Sequence, residues 1–144
     1  MKLIKSLLAL ALCSVVSMTA VADGKQTLCP LMIEDEIDPD TSVDYKGVKV
    51  FMCCSTCKRQ WAENPDYFAV VSLKQAPQLK SVVDKKVKPL AQKFCPVYTD
   101  RRVHPKGPSV VHNGQKIYFC KKRALDRFKS NPDKYLKNLK NQKG

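Results

Sequence analysis

The sequence predicts an α+β protein, built from two small β-hairpin–helix modules joined by a helical connector. Three observations lead there. First, one pattern is written twice. Cys29-Pro30, Lys46-Gly47, Val50-Phe51-Met52-Cys53, Trp61 and Asn64-Pro65-Asp66 return as Cys95-Pro96, Asn113-Gly114, Ile117-Tyr118-Phe119-Cys120, Phe128 and Asn131-Pro132-Asp133. Second, in each copy β-prone runs flank a tight-turn pair and lead into a stretch with helical spacing. Third, each copy covers only about 45 residues, too few to bury a self-sufficient core, so each should carry a staple.

The chain begins with the features of an export signal at 1–22. Met1-Lys2-Leu3-Ile4-Lys5 is basic, Leu7 to Val16 is apolar, and Ala20-Val21-Ala22 is a small-x-small cleavage site. The apolar run is too short to span a membrane. Cys13 is a poor lipid-anchor site because Leu12 precedes it where a small residue is wanted. Cleavage after Ala22 implies a secreted or periplasmic protein, in a compartment where disulfides persist. No later stretch is apolar enough to cross a membrane.

The first module is read as 23–71, the lysine-rich connector as 72–93, and the second module with a basic tail as 94–144. In the second module Asn113-Gly114 separates Ser109-Val110-Val111-His112 from Lys116-Ile117-Tyr118-Phe119, a strong hairpin signal because both turn residues take positive φ. Lys46-Gly47 is a compatible turn in the first module. Helices are expected over Lys58 to Glu63 and Lys121 to Lys129, with Trp61 and Phe128 filling the two cores. Asn64 and Asn131 suit helix N-caps, and Pro65 and Pro132 suit the first turn of a second short helix. In the connector, Leu79, Val82, Val83, Val87 and Leu90 recur at three- and four-residue steps, predicting an amphipathic helix between Pro77 and Pro89. The acids Glu34, Asp35, Glu36, Asp38 and Asp40 read as one solvated loop. They lack the glycine and terminal glutamate of a calcium-binding loop.

Charge narrows the partners. Lys and Arg number 26 against 13 acids, a formal net charge of +13. Such a surface can attract nucleic acid, anionic lipid or acidic proteins. Export argues against nucleic acid. No Ser/His/Asp set is present, and the expectation is a non-enzymatic protein.

The cysteines are distributed unequally. The first module holds Cys29, Cys53, Cys54 and Cys57, whereas the second holds Cys95 and Cys120, with Ala124 where Cys57 has its counterpart. Cys29 lies in a turn, Cys53 at a strand end and Cys57 one turn into a helix, so three thiolates can converge on one tetrahedral ion. The helix start also favours the thiolate. A structural zinc site contributes roughly 10–16 kcal/mol and a disulfide roughly 2–4 kcal/mol, so either would staple a module. Cys54-Ser55-Thr56-Cys57 has in addition the form of a thiol–disulfide exchange motif, though without the surrounding βαβ pattern of such proteins. Cys95 and Cys120 are expected to form a disulfide, to lie buried and reduced, or to complete a two-cysteine, two-histidine site with His104 and His112. His112 sits at the position of Tyr45, read as a surface position.

The run Cys-Pro … Lys-Gly-x-x-x-Phe-x-Cys-Cys-x-x-Cys … aromatic … Asn-Pro resembles the YHS domain and the similar TRASH domain, over both modules. That resemblance implies treble-clef-like modules and a role in heavy-metal trafficking, storage, detoxification or sensing. It implies Cys29, Cys53 and Cys57 as ligands of copper or zinc, with Cys54 as an additional neighbour. The partners would be the metal ion and a metal-accepting or membrane-associated protein, with the second module a degenerate copy. Where some members have a second cysteine three residues after the first, this chain has Met32 and Tyr98. Met32 would serve either as packing or as a thioether ligand suited to Cu(I). A purely structural, stapled scaffold is the alternative reading, and a redox protein using Cys54 and Cys57 a second.

Overall fold

A computed structural model of the chain describes residues 25–140 and residue 142. The expected signal at 1–22 lies outside the described residues. Two antiparallel hairpins form, each followed by two helices. The first comprises β1 (Asp38–Tyr45), β2 (Val48–Met52), α1 (Ser55–Glu63) and α2 (Pro65–Val71). The second comprises β3 (Ser109–His112), β4 (Gln115–Tyr118), α3 (Lys122–Ser130) and α4 (Pro132–Lys140). The architecture is a small α+β arrangement, as the sequence predicts.

Both hairpins turn on two residues in the left-handed region. Lys46 and Gly47 have φ of 52° and 81°, and Asn113 and Gly114 have 48° and 76°. Two successive positive φ angles match the right-handed twist of the flanking strands. Tyr45 pairs with Val48 and His112 with Gln115, so the turns are equivalent in register. In the first hairpin the register shifts between Asp38 and Ser42. The acidic stretch is therefore not one loop: Asp38 and Asp40 belong to β1, where Asp38 accepts bonds from the Asp40 N–H and the Thr41 hydroxyl.

On α1 the buried side chains are Cys57 and Trp61, and on α3 they are Ala124 and Phe128. The four-residue spacing puts each pair on one face over its hairpin. Trp61 meets Tyr45 edge-on at 5.9 Å and Phe68 stacked at 6.2 Å, and Phe128 packs on Phe119 at 5.2 Å. Tyr45 is buried and bonds through its hydroxyl to Asp66 at 2.6 Å. His112 is half-buried against Phe128, so this position is not on the open surface in either module. Pro65 and Pro132 open α2 and α4 as expected. Asn131 caps α4, its Oδ1 accepting from the Lys134 N–H at 3.3 Å, whereas the Asn64 side chain makes no cap bond.

The amphipathic connector helix does not form. Only Pro77–Ser81 is helical, as a short 3-10 segment. Beyond it the Asp84 carboxylate accepts from the Lys86 N–H at 2.9 Å, a local bond that competes with helix, and Pro89 removes a donor. The apolar spacing arises because Val82, Val83, Val87 and Leu90 lie against the first core, which also buries Ala76 and Leu79. α2 buries Tyr67, Phe68 and Ala69, whereas α4 buries none of its residues fully. The tail expected from Lys137 onward is helical to Lys140.

The two halves are joined by backbone. Met32 bridges Arg101, bracketed by the Ile33 N–H donating to Asp100 at 2.9 Å and the Arg102 N–H donating to Leu31 at 3.0 Å. The Arg102 side chain donates to Pro30 at 2.8 Å and to Gln75 at 2.7 Å. His104 is buried against Phe68, with Nε2 3.1 Å from Glu63.

Candidate metal centre

Each cysteine of the first module is positioned by a different element. Cys29 heads a tight turn, its N–H donating to Asp35 at 2.8 Å while the Asp35 N–H donates to Met32 at 3.0 Å. Cys53 directly follows β2, and Cys57 is the third residue of α1. The turn is tied to the strand by Gln26, a residue the sequence reading passes over. Its Oε1 accepts from the Phe51 N–H at 3.0 Å, and its Nε2 donates to Phe51 at 2.7 Å and Leu28 at 3.2 Å. The amide thus acts as one extra residue of strand between the arm carrying Cys29 and the strand ending at Cys53. Gln92 repeats the arrangement with Tyr118 and Phe94. The signal was present: Gln-x-x-Cys-Pro occurs at Gln26 and again at Gln92.

The sulfurs of Cys29, Cys53 and Cys57 lie within 4.8 Å of one another, and those of Cys53 and Cys57 are 3.5 Å apart. Cys29 and Cys57 are fully buried and Cys53 is half-buried at the edge. Zn–S bonds of about 2.3 Å in a tetrahedron put sulfurs about 3.8 Å apart, so the set needs shifts of only about 1 Å or less to hold one ion. The Met32 thioether accepts from the Cys53 thiol at 3.7 Å, placing a fourth sulfur beside the three. Cys54 stands outside the triad, half-buried, its sulfur 3.8 Å from Cys53.

The thiols share their protons unequally. A hydrogen bond from Cys57 holds the Cys29 thiol at about 5, against its burial and with help from backbone N–H groups. The same pairing pushes Cys57 up strongly, with burial adding to it. Burial, then the Cys29 charge, pushes Cys53 up to about 12. Burial opposes ionisation of Cys54, but the backbone N–H groups of Cys57 and Thr56 outweigh it and lower that thiol. The cluster therefore favours one thiolate cradled by its neighbours. A cation at its centre would supply the charge that further ionisation needs.

The second module lacks the third sulfur. Ala124 is fully buried where α1 carries Cys57, leaving Cys95 and Cys120 as a buried pair of free thiols. Their mutual hydrogen bond lowers Cys95 to about 6 and raises Cys120 strongly. His104 and His112 do not complete a site with this pair. His104 packs on Phe68 and His112 on Phe128, and among the described residues only Cys29, Cys53 and Cys57 form a metal-capable group. No helix among the described residues is long and apolar enough to cross a membrane. Comparison with protein-family models, with curated proteins and with solved structures found no match to this chain.

Proposed function

We propose that this is an exported, non-enzymatic protein that binds one soft or borderline metal ion, copper or zinc, for trafficking, storage or detoxification. The observation that carries the reading is the convergence of three sulfurs from a turn, a strand end and a helix start. The resemblance to YHS and TRASH modules supports the same ligands, Cys29, Cys53 and Cys57. Three thiolates leave a fourth position for the Met32 thioether or an incoming ligand, and a thioether suits Cu(I) better than zinc. Cys54, half-buried with its sulfur 3.8 Å from that of Cys53, would accept the ion during handover to a partner protein.

Native mass spectrometry of the exported chain, purified without added metal or reductant, tests this. One copper or zinc per chain is expected. Cys57→Ser should weaken binding by at least about 100-fold, because it removes a ligand, while Cys54→Ser should change affinity by less than about 10-fold. Unchanged affinity in Cys57→Ser would defeat the assignment. A second reading, in which the metal only staples the fold, is favoured by the complete burial of Cys29 and Cys57 within the first core. It predicts that the metal-free chain unfolds, whereas a carrier stays folded when emptied. Redox exchange between Cys54 and Cys57 has less support, since the Cys57 thiol is buried and engaged by Cys29 and Cys53.

A further inference from the structure

Residues of both halves and of the connector line a cavity of about 480 Å³. That volume is in the range of small-molecule sites, roughly 300–1,000 Å³. Its walls are mostly apolar, with Val71, Pro89, Leu90 and Phe94 facing the Tyr67 ring and Arg102. Lys74 and Lys93 also line it, and no carboxylate does.

Arg102 is the unusual member. It is only 6% exposed, yet no carboxylate among the described residues lies within ion-pair distance of it. Its hydrogen bonds run from Nε to the Pro30 carbonyl and from Nη2 to the Gln75 amide oxygen, both neutral acceptors. The guanidinium also lies over the Phe94 ring at 5.3 Å. Burial lowers its pKa to about 10, with the Tyr67 and Cys29 side chains opposing through space without bonding to it. No partner is found for Nη1 among the described residues. A guanidinium has five donors in a fork that fits a carboxylate, and a buried cation without a counter-ion is costly.

We propose that this cavity binds an organic monoanion, a carboxylate joined to an apolar body. The carboxylate would sit on the free edge of Arg102, with Tyr67 and Lys74 nearby, and the apolar body against Leu90, Phe94 and Val71. None of Cys29, Cys53 and Cys57 lines the cavity, and the proposal does not rest on metal binding.

Calorimetric titration of the whole exported chain tests it with two acids and their neutral counterparts: dodecanoate against dodecanol, and 2-naphthoate against 2-naphthamide. At least one acid should bind one per chain, at least about 10-fold tighter than its neutral partner, as a charge-assisted bidentate contact requires. Tighter dodecanoate would point to an acyl-chain ligand, and tighter 2-naphthoate to an aromatic acid. Arg102→Gln should erase the preference for the acid. Because Arg102 also ties the two halves together, Leu90→Trp is the second variant. It fills the cavity without removing the Arg102 bonds, and should weaken binding by at least about 10-fold in a chain that still unfolds cooperatively. Acids that bind no better than their neutral partners, or unchanged binding in a folded Leu90→Trp protein, would overturn the proposal.

Discussion

Cys57 and Ala124 occupy the same place, the third residue of α1 and of α3, each fully buried against its own hairpin. One sulfur atom separates a three-thiol set from a pair. Ala124→Cys should therefore give the second module a triad with Cys95 and Cys120. Native mass spectrometry should then count two metal ions per chain, and one ion in a folded variant would show that the matching backbone does not place the third sulfur. The convergence of Cys29, Cys53 and Cys57 was legible in the sequence, because cysteine spacing and a strand-to-helix junction fix where thiols point. The Met32 contact was legible only as a choice between packing and ligation, and the structure puts its sulfur 3.7 Å from Cys53. Gln26 and Gln92 were missed because glutamine carries no strong propensity. Only their equal spacing ahead of Cys-Pro marks them.

Helices and hairpins were readable where backbone chemistry is local. The two-residue turns announce themselves because few residues tolerate positive φ. The caps were only half readable. Asn64 and Asn131 both open an Asn-Pro-Asp run, yet only the Asn131 side chain bonds to its helix. Asn131→Ala should cost about 1 kcal/mol, as lost N-caps do, and Asn64→Ala less than half of that. Denaturant midpoints of the two variants give the comparison, and equal losses would contradict the assigned difference. The connector failed as a prediction for a tertiary reason. Its apolar residues recur at helical steps, but they track a surface they lie against instead of a helix face. Periodicity alone cannot separate these two when the segment holds Asp84-Lys85-Lys86 and ends at a proline.

At the scale of the molecule, His104 reports on the joint between the halves. It comes from the second half but packs within the first, against Phe68 and Glu63, with Lys106 the other charge acting on it. Burial holds it below the ordinary imidazole value of 6.5, with Glu63 opposing. An imidazole with a lowered folded pKa is protonated first in the unfolded chain. Stability is then complete above about pH 6.5 and declines as pH falls through it toward the lower folded value. His104→Phe should flatten that decline below about pH 6.5, and His104→Ala should cost about 2–4 kcal/mol at neutral pH by leaving a cavity. Thermal melts across this range are the measurement, and a decline that survives in His104→Phe would assign it to another group. None of this was visible in sequence, because the partners of His104 lie far along the chain in the other half.

The backbone joint at Met32 and Arg101 also sets an order in time. Everything that assembles Cys29, Cys53 and Cys57 lies within a short stretch of chain, so those contacts close early. The pairing of Leu31 and Ile33 with Arg102 and Asp100 spans the connector and must wait for the second half to arrive. A chain emerging N-terminus first passes through a stage in which the three sulfurs can meet while Leu31 and Phe68 still face solvent on the side later covered by Arg102 and His104. The second half is, in this sense, a late-arriving cover for the first.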